Sequence, residues 1–456
     1  MTRNGYVVFI AGAAALGGFL FGFDTAIING TVAALRQYFA ADSVQIGLAV
    51  SLALLGSAVG AFFAGRLADR VGRVRVMLLA SVAFALSAIG SGLPFGLADF
   101  ILWRVLGGMA VGAASVIAPA YIAEVSPAHK RGRLGTLQQL AIVVGIFVAL
   151  LLNYVIAESA GSADNAWLLG QEAWRWMFWS ELPFAVLYGV VALMIPESPR
   201  YLVARGREAE AAAVLERVGA AETVGSIQET VLTERKPSFF DIRGKAFGLL
   251  PIVWVGMGLA ALQQFVGINV IFYYSSVLWR AVGFSESDAL TITVITGATN
   301  IVTTFVAIAY VDKFGRKPLL VIGSIGMALM LGALAFIFGT APVGPDGTPM
   351  LDGSTGIVAC VAANVYVFFF GFSWGPVMWV LLGEMFNNRI RGSALAVAGA
   401  VQWGANFLVS TTFPPLLDFA GLGASYGIYT FWALVSLVFV LKYVRETKGL
   451  TLEQMR

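Results

Sequence analysis

At 456 residues the chain is long enough for two or three soluble domains, but its composition excludes them. Hydrophobic residues make up 59% and charged residues 12%, against a soluble norm of about 45–50% apolar and about 25% charged. The net charge of +3 says little, because its distribution matters more.

The apolar excess lies in long blocks, among them 77–96, 134–157 and 357–383. Each is near or above the roughly 20 residues that a helix needs to cross about 30 Å of hydrocarbon. The fold class is therefore an all-α multi-pass membrane protein; a soluble enzyme, a nucleic-acid binder and a disordered scaffold are excluded. In chain order the blocks give twelve predicted transmembrane helices, at 6–30, 44–64, 74–93, 98–123, 133–157, 174–195, 247–280, 287–310, 318–339, 355–384, 391–416 and 423–444. The first lacks the features of a cleaved signal peptide and reads as a retained helix. The longest polar stretch, 196–245, mixes arginines and glutamates with alanines and leucines, which suits short amphipathic helices on a membrane surface.

Loops on one face carry Arg66, Arg70, Arg73 and Arg75, then Lys130, Arg131 and Arg133, then Lys313, Arg316 and Lys317, then Arg389 and Arg391. The other face holds little beyond Arg36, Arg175 and Arg280. The positive-inside rule places both termini and the central stretch in the cytoplasm.

The sequence also repeats. Asp69 in the basic segment 65–73 matches Asp312 in the segment 312–317, an offset of 243, and Glu124 matches Glu384, an offset of 260. Residues 196–200 answer 445–449, and Asn29 answers Asn269. Two pseudo-symmetric six-helix bundles are expected, at 1–196 and 246–444, joined by a cytoplasmic helical linker at 197–245 and followed by a short tail at 445–456. Such duplication marks alternating-access transporters, whose substrate binds near mid-membrane between the halves.

Six motifs carry a resemblance: Gly-Arg-x-Ala-Asp-Arg-x-Gly-Arg at 65–73, Pro-Glu-Ser-Pro-Arg at 196–200, Gln-Gln-Phe-x-Gly-Ile-Asn at 263–269, Asp-Lys-x-Gly-Arg-Lys at 312–317, Trp-Gly-Pro-x-x-Trp at 374–379 and Glu-Thr-Lys-Gly at 446–449. Over nearly its whole length the sequence resembles the sugar porter branch of the major facilitator superfamily, closest in look to bacterial proton–monosaccharide symporters. The resemblance implies the major facilitator fold and a bacterial inner-membrane address. Arg445 stands where the family commonly has proline, which softens the end of the last span.

The residues within the spans bear on the substrate. Intramembrane charge is sparse and nearly balanced, so no ring of like charge exists to hold an ion. In its place stand the amides Gln139, Gln263, Gln264, Asn269, Asn300, Gln402 and Asn406. A carboxamide donates and accepts without net charge, as each hydroxyl of a neutral sugar requires. Any one of them alone also suits interhelical glue. Trp379 and Trp403 offer flat apolar faces, and Trp374 reads as structural. The resemblance places these amides and Trp379 and Trp403 on sugar-contacting positions. Gly267 is expected to break the seventh span, with Tyr273 and Tyr274 near its outer mouth.

Asp24, Arg104 and Glu181 are the clear intramembrane ionisable groups, and such groups are functional by default. At ~1.5 Å per residue, Asp24 lies roughly 27 Å from the inner face, and Arg104 and Glu181 about 9–10 Å from the outer one. All three fall in the outer half of one layer, in reach of a cluster around Arg104; a static ion pair between the first and fourth spans is the plainer alternative. The resemblance places a proton-coupling acid–arginine–acid group there. It also implies a cytoplasmic latch from Arg73, Glu124, Arg133, Arg316, Glu384 and Arg391. A proton-coupled importer of a neutral monosaccharide such as xylose or glucose is expected, with a passive facilitator of the same fold as the competitor.

A sugar sensor would need a longer cytoplasmic tail, and a membrane enzyme would need a nucleophile–base or metal constellation. One histidine, His129, and one cysteine, Cys360, supply neither. No cofactor or metal is expected. The partners are the sugar, a proton and the lipid bilayer, with no nucleic acid, and a monomer suffices. The pair Gly56 and Gly60 is expected to permit close packing inside the bundle.

Overall fold

A computed structural model of the protein describes residues 3–127, 131–219, 223–233, 239–342, 350–386 and 390–446. Its helices in chain order are α1 Arg3–Ile27, α2 Val32–Tyr38, α3 Ser43–Val71, α4 Arg73–Gly92, α5 Leu97–Val125, α6 Arg131–Ala160, α7 Ala173–Trp179, α8 Leu182–Met194, α9 Pro199–Ala204, α10 Glu208–Val218 and α11 Val224–Thr233. The series continues with α12 Pro251–Phe265, α13 Ile268–Arg280, α14 Glu286–Phe314, α15 Arg316–Gly339, α16 Gly353–Phe372, α17 Trp374–Met385 and α18 Arg391–Tyr443. A short strand, Arg243–Ala246, precedes α12.

Among the described residues, eleven helical stretches are long and apolar enough to cross a membrane. The last of them, α18, is 53 residues long and leaves helical geometry at Gly421, where φ is 73° and ψ is 175°. It is two spans joined without a loop, which restores the twelve predicted.

Three spans are broken, each for a local reason. Pro183 lacks an N–H and its ring crowds the preceding turn, so α7 ends at Trp179 and the chain restarts at Leu182 with Glu181 at the junction. Gly267 adopts φ 81°, which separates α12 from α13 as expected. A side chain there would also meet the Tyr429 ring, 2.7 Å from the added carbon. The tenth span breaks at Ser373 by the same means as the sixth: Pro376 stands four residues past Phe372, the last residue of α16, where it lacks the N–H and crowds that turn.

The chain forms two compact units. Unit 1 comprises Met1–Ile28, Leu52–Leu152 and Ala163–Lys236; unit 2 comprises Asn29–Ser51, Asn153–Ser162 and Pro237–Arg456. The three amphipathic helices α9 to α11 thus belong to unit 1, and the ends of the first, second and fifth spans belong to unit 2. Within unit 1, Gly56 and Gly60 let α3 touch the backbone of α5: an added carbon on either would fall 2.3 Å from the Val105 carbonyl oxygen or 2.1 Å from that of Met109. Close packing inside the bundle is what these glycines provide.

The internal repeat has a matching structure in each unit. In unit 1, Arg73 pairs with Glu124 at 2.9 Å and with Asp69 at 3.2 Å, while the Glu197 carboxylate accepts the Arg73 and Val74 backbone N–H groups at 3.0 and 3.2 Å. In unit 2, Arg316 pairs with Glu384 at 2.7 Å, and Glu446 accepts the Arg316 and Lys317 N–H groups at 3.0 and 2.9 Å. Both glutamates cap the first turn of the span that follows the basic loop, where free N–H groups and the helix dipole favour a negative charge. Glu197 and Glu446, members of the repeated segments, thus share one capping role.

Candidate functional site

In unit 1 the charged cluster is assembled from α1, α5 and the α7–α8 break. Arg104 Nη1 donates to Asp24 Oδ1 at 2.7 Å, and Nη2 donates to the Asp24 backbone oxygen at 2.9 Å. The arginine thus holds both the carboxylate and the last turn of α1, and its guanidinium lies 5.7 Å from the Phe178 ring centre. Both members are buried, with side-chain exposures of 3% and 1%. Glu181 is wholly buried and within electrostatic reach of Asp24 and Arg104, yet neither of its carboxylate oxygens has a hydrogen-bond partner among the described residues. The three groups gauged by depth alone do share one layer, and in this arrangement the arginine serves Asp24. Breaking such a buried pair by removing one member leaves the other as an uncompensated charge, at a cost of about 3–5 kcal/mol.

In unit 2 the amides form a network around Gln263. Gln402 and Gln264 both donate to Gln263 Oε1, at 2.8 and 3.1 Å. Asn269 donates to Gln264 Oε1 at 2.5 Å. Gln263 itself donates to the backbone oxygens of Trp374 and Gly375, at 2.9 and 3.2 Å, where the tenth span is broken. Two helix breaks thus face each other through one glutamine. The carbonyl of Val266, freed beside Gly267, accepts the Tyr366 hydroxyl at 2.8 Å. Backbone groups exposed by a break are tolerated at membrane depth only where protein or water satisfies them.

The remaining predicted residues fall in different settings. Asn406 donates to the Tyr273 hydroxyl at 3.5 Å and accepts from Ser410 at 3.2 Å. The Tyr274 hydroxyl donates to the Ser410 carbonyl at 2.8 Å. Trp379 is 41% exposed and Trp403 is half-buried. Trp374 is fully buried and donates to Ser324 at 2.9 Å, the structural place expected of it. Asn300 takes no part in the network around Gln263 among the described residues. Gln139, on α6 in unit 1, is exposed, and its neighbour Gln138 is buried.

Of the residues assigned to a latch, Arg73 with Glu124 and Arg316 with Glu384 pair as described above. Arg391 donates to the Phe386 carbonyl at 3.1 Å. The side chain of Arg133 lies outside the described residues, as do those of Arg131 and Asp312 and the whole of His129, Lys130, Arg389 and 447–449.

Two features of unit 2 escape the sequence reading. Asn29, fully buried, donates to the Phe272 carbonyl at 2.9 Å and accepts the Ser276 N–H at 3.2 Å, clipping the segment after α1 to α13. Its repeat relation to Asn269 was the only signal. Farther along, Arg36 and Ser43 both reach the Asp418 carboxylate, the arginine at 3.0 Å. These three line a cavity of about 1250 Å³ with Tyr274, Arg280 and Phe413. None of the predicted sugar-site amides lines it.

The chain matches the family model for sugar (and other) transporters over residues 10–456. A glucose transport protein from Synechocystis sp. is 66% identical over 99% of this chain and 97% of its own length. A D-xylose-proton symporter from Escherichia coli (strain K12) is 39% identical over 99% and 96%. The inward-open structure of the xylose transporter XylE from E. coli superposes with a TM-score of 0.84 at 37% identity, covering 99% of each chain. XylE bound to 6-bromo-6-deoxy-D-glucose superposes with a TM-score of 0.79. With a full-length match of sequence and fold together, the chain belongs to the sugar transporter family.

Proposed function

We propose that this protein imports a neutral monosaccharide together with a proton across a bacterial inner membrane, by alternating access, with both termini in the cytoplasm. The observation that carries the reading is the Asp24–Arg104 pair, buried in membrane-spanning helices beside a second carboxyl, Glu181, whose oxygens accept no hydrogen bond among the described residues. A facilitator needs no such charges, and charges held in lipid are costly unless they work. Glucose stands first as substrate because of the 66% identical glucose transport protein, and xylose second because of the xylose-proton symporters.

Asp24 takes a proton from the outer side. The neutral acid releases Arg104, which turns to Glu181, and the exchange of partners favours the occluded and inward states once sugar is bound. Gln139, Gln263, Gln264, Asn269, Asn300, Gln402 and Asn406 bind the sugar hydroxyls, and Trp379 and Trp403 cover its C–H faces. Gln263 already holds its neighbours in fixed orientation through the two helix breaks. Arg73, Glu124, Arg133, Arg316, Glu384 and Arg391 form the cytoplasmic latch of two six-helix halves, 1–196 and 246–444, with 197–245 as a cytoplasmic linker and 445–456 as the tail.

The test is sugar addition to energy-depleted cells or vesicles that contain the protein. Symport predicts that glucose or xylose alkalinises the medium as it enters. Sugar entry with no pH change identifies a passive facilitator and overturns the proposal.

A further inference from the structure

Inside unit 1 the buried polar groups extend beyond the ion pair. Both Glu181 oxygens, Asp24 Oδ2, Arg104 Nε and, on α4, Ser91 Oγ are buried and lack hydrogen-bond partners among the described residues. Tyr188 stands on the same stripe of its helix as Glu181, seven residues on, and its hydroxyl is also buried and unpartnered. Gly17 stands seven residues before Asp24 on α1, so each step is about 10 Å along its helix. The two positions meet: a carbon added to Gly17 would fall 2.7 Å from the Tyr188 hydroxyl oxygen. One added to the next residue, Gly18, would fall 2.7–2.8 Å from the carboxamide of Gln138, whose oxygen and nitrogen are likewise buried without partners. Between the layers, Ser87 Oγ and Asp24 Oδ1 both crowd the bare Gly107, at 2.4 and 3.0 Å from an added carbon. Ser81 donates to the Ala185 carbonyl at 2.8 Å, one turn from Tyr188.

Buried polar groups are nearly always satisfied, and where protein does not satisfy them, enclosed water does. The Tyr188 hydroxyl and the Gln138 carboxamide pack directly on Gly17 and Gly18, and Ser87 and Asp24 on Gly107, so the absence of side chains on these glycines is what admits the polar groups. Five unpartnered polar atoms on α1, α4, α5 and the α7–α8 junction, with the Tyr188 hydroxyl and the Gln138 carboxamide about two turns away, mark the two ends of a file that enclosed water would complete.

We propose that this file is hydrated and conducts the proton from the Asp24–Glu181 layer to Tyr188 and Gln138, toward the N-terminal end of α1. The inference rests on the symport reading above. As Arg104 returns to Asp24, the protonated carboxyl gives its proton to the adjoining water and becomes a carboxylate. Each water takes one proton and passes one on. The Tyr188 hydroxyl accepts a proton on its lone pair and donates its own onward, so it ends unchanged, and the proton leaves to the solution on the cytoplasmic side. Tyr188 carries protons and touches no sugar.

The test compares full-length wild type and Tyr188→Phe in proteoliposomes. Initial sugar-driven proton uptake is read from a trapped pH dye, and sugar exchange is read with equal sugar on both sides. The substitution removes one oxygen that has no protein partner, so folding is retained; Gln138→Met carries the same test should that variant not be recovered. The expected result is a fall of about fivefold or more in proton uptake, with exchange within about twofold of wild type. A smaller fall in proton uptake overturns the inference. So does a parallel fall in both rates, which assigns Tyr188 a structural role. Absence of any proton uptake by wild type is a separate failure, that of the symport reading itself.

Discussion

At the scale of single residues, the protein keeps its polarity in two chemically distinct places. One is ionic, the Arg104 guanidinium on Asp24; the other is dipolar, a set of carboxamides centred on Gln263. In the proposed reading a sugar hydroxyl entering the second exchanges one neutral hydrogen bond for another, so binding does not oppose the charge in the first. Gln263 accepts from Gln402 and Gln264 and donates to the broken tenth span. Gln263→Leu strips both neighbours of their acceptor at about 1–3 kcal/mol per stranded group. Sugar exchange kinetics should show KM raised about tenfold or more, at a maximal rate that changes less, because the lost groups serve binding. A KM within about twofold of wild type contradicts the assignment. The ionic trio was legible in the sequence because depth along a helix follows from residue count. The orphaned state of Glu181 was not, since it depends on where the α7–α8 break turns a carboxyl. The buried Gln138 beside the exposed Gln139 was equally hidden, because one step along a helix turns a side chain by about 100° and sequence alone does not say which way the helix faces.

At the scale of elements, apolar runs between basic loops located the spans, since hydrocarbon thickness fixes their length. Breaks within spans were legible only where the chemistry is explicit, as at Gly267. The Ser373 break is marked by Pro376 as the α7–α8 break is by Pro183, and Gln263 takes up the adjoining carbonyls. Asn29 gives no such sign, because its partners are backbone groups of a helix more than 240 residues away. Glu197 and Glu446 are the clearest gain over the sequence reading. They appeared there as members of a repeat, and they are N-terminal caps of α4 and α15. Glu446→Ala removes an acceptor and a charge from the first turn of α15, and the expected loss is about 1 kcal/mol. Thermal unfolding in detergent should show a lower midpoint for Glu446→Ala and for Glu197→Ala, by similar amounts. An unchanged midpoint in both would mean that the two pairs of N–H groups find other acceptors at no cost.

At the scale of the whole molecule, the repeat explains why one chain carries two copies of a scaffold that need not share their chemistry. Each unit has its own arginine–glutamate pair and glutamate cap, while the buried acids belong to one unit and the Gln263 network to the other. In the proposed reading, protonation acts within unit 1 and most of the sugar contacts come from unit 2, with coupling supplied by states that both must share. The most direct test of that claim is the steady accumulation of sugar in proteoliposomes under an imposed pH gradient, acid outside, for wild type and Asp24→Asn. With one proton per sugar, each pH unit sustains an accumulation of about tenfold in the wild type. Asp24→Asn should bring sugar only to equal concentrations while still exchanging it across the membrane. Accumulation by Asp24→Asn equal to that of the wild type would contradict the account.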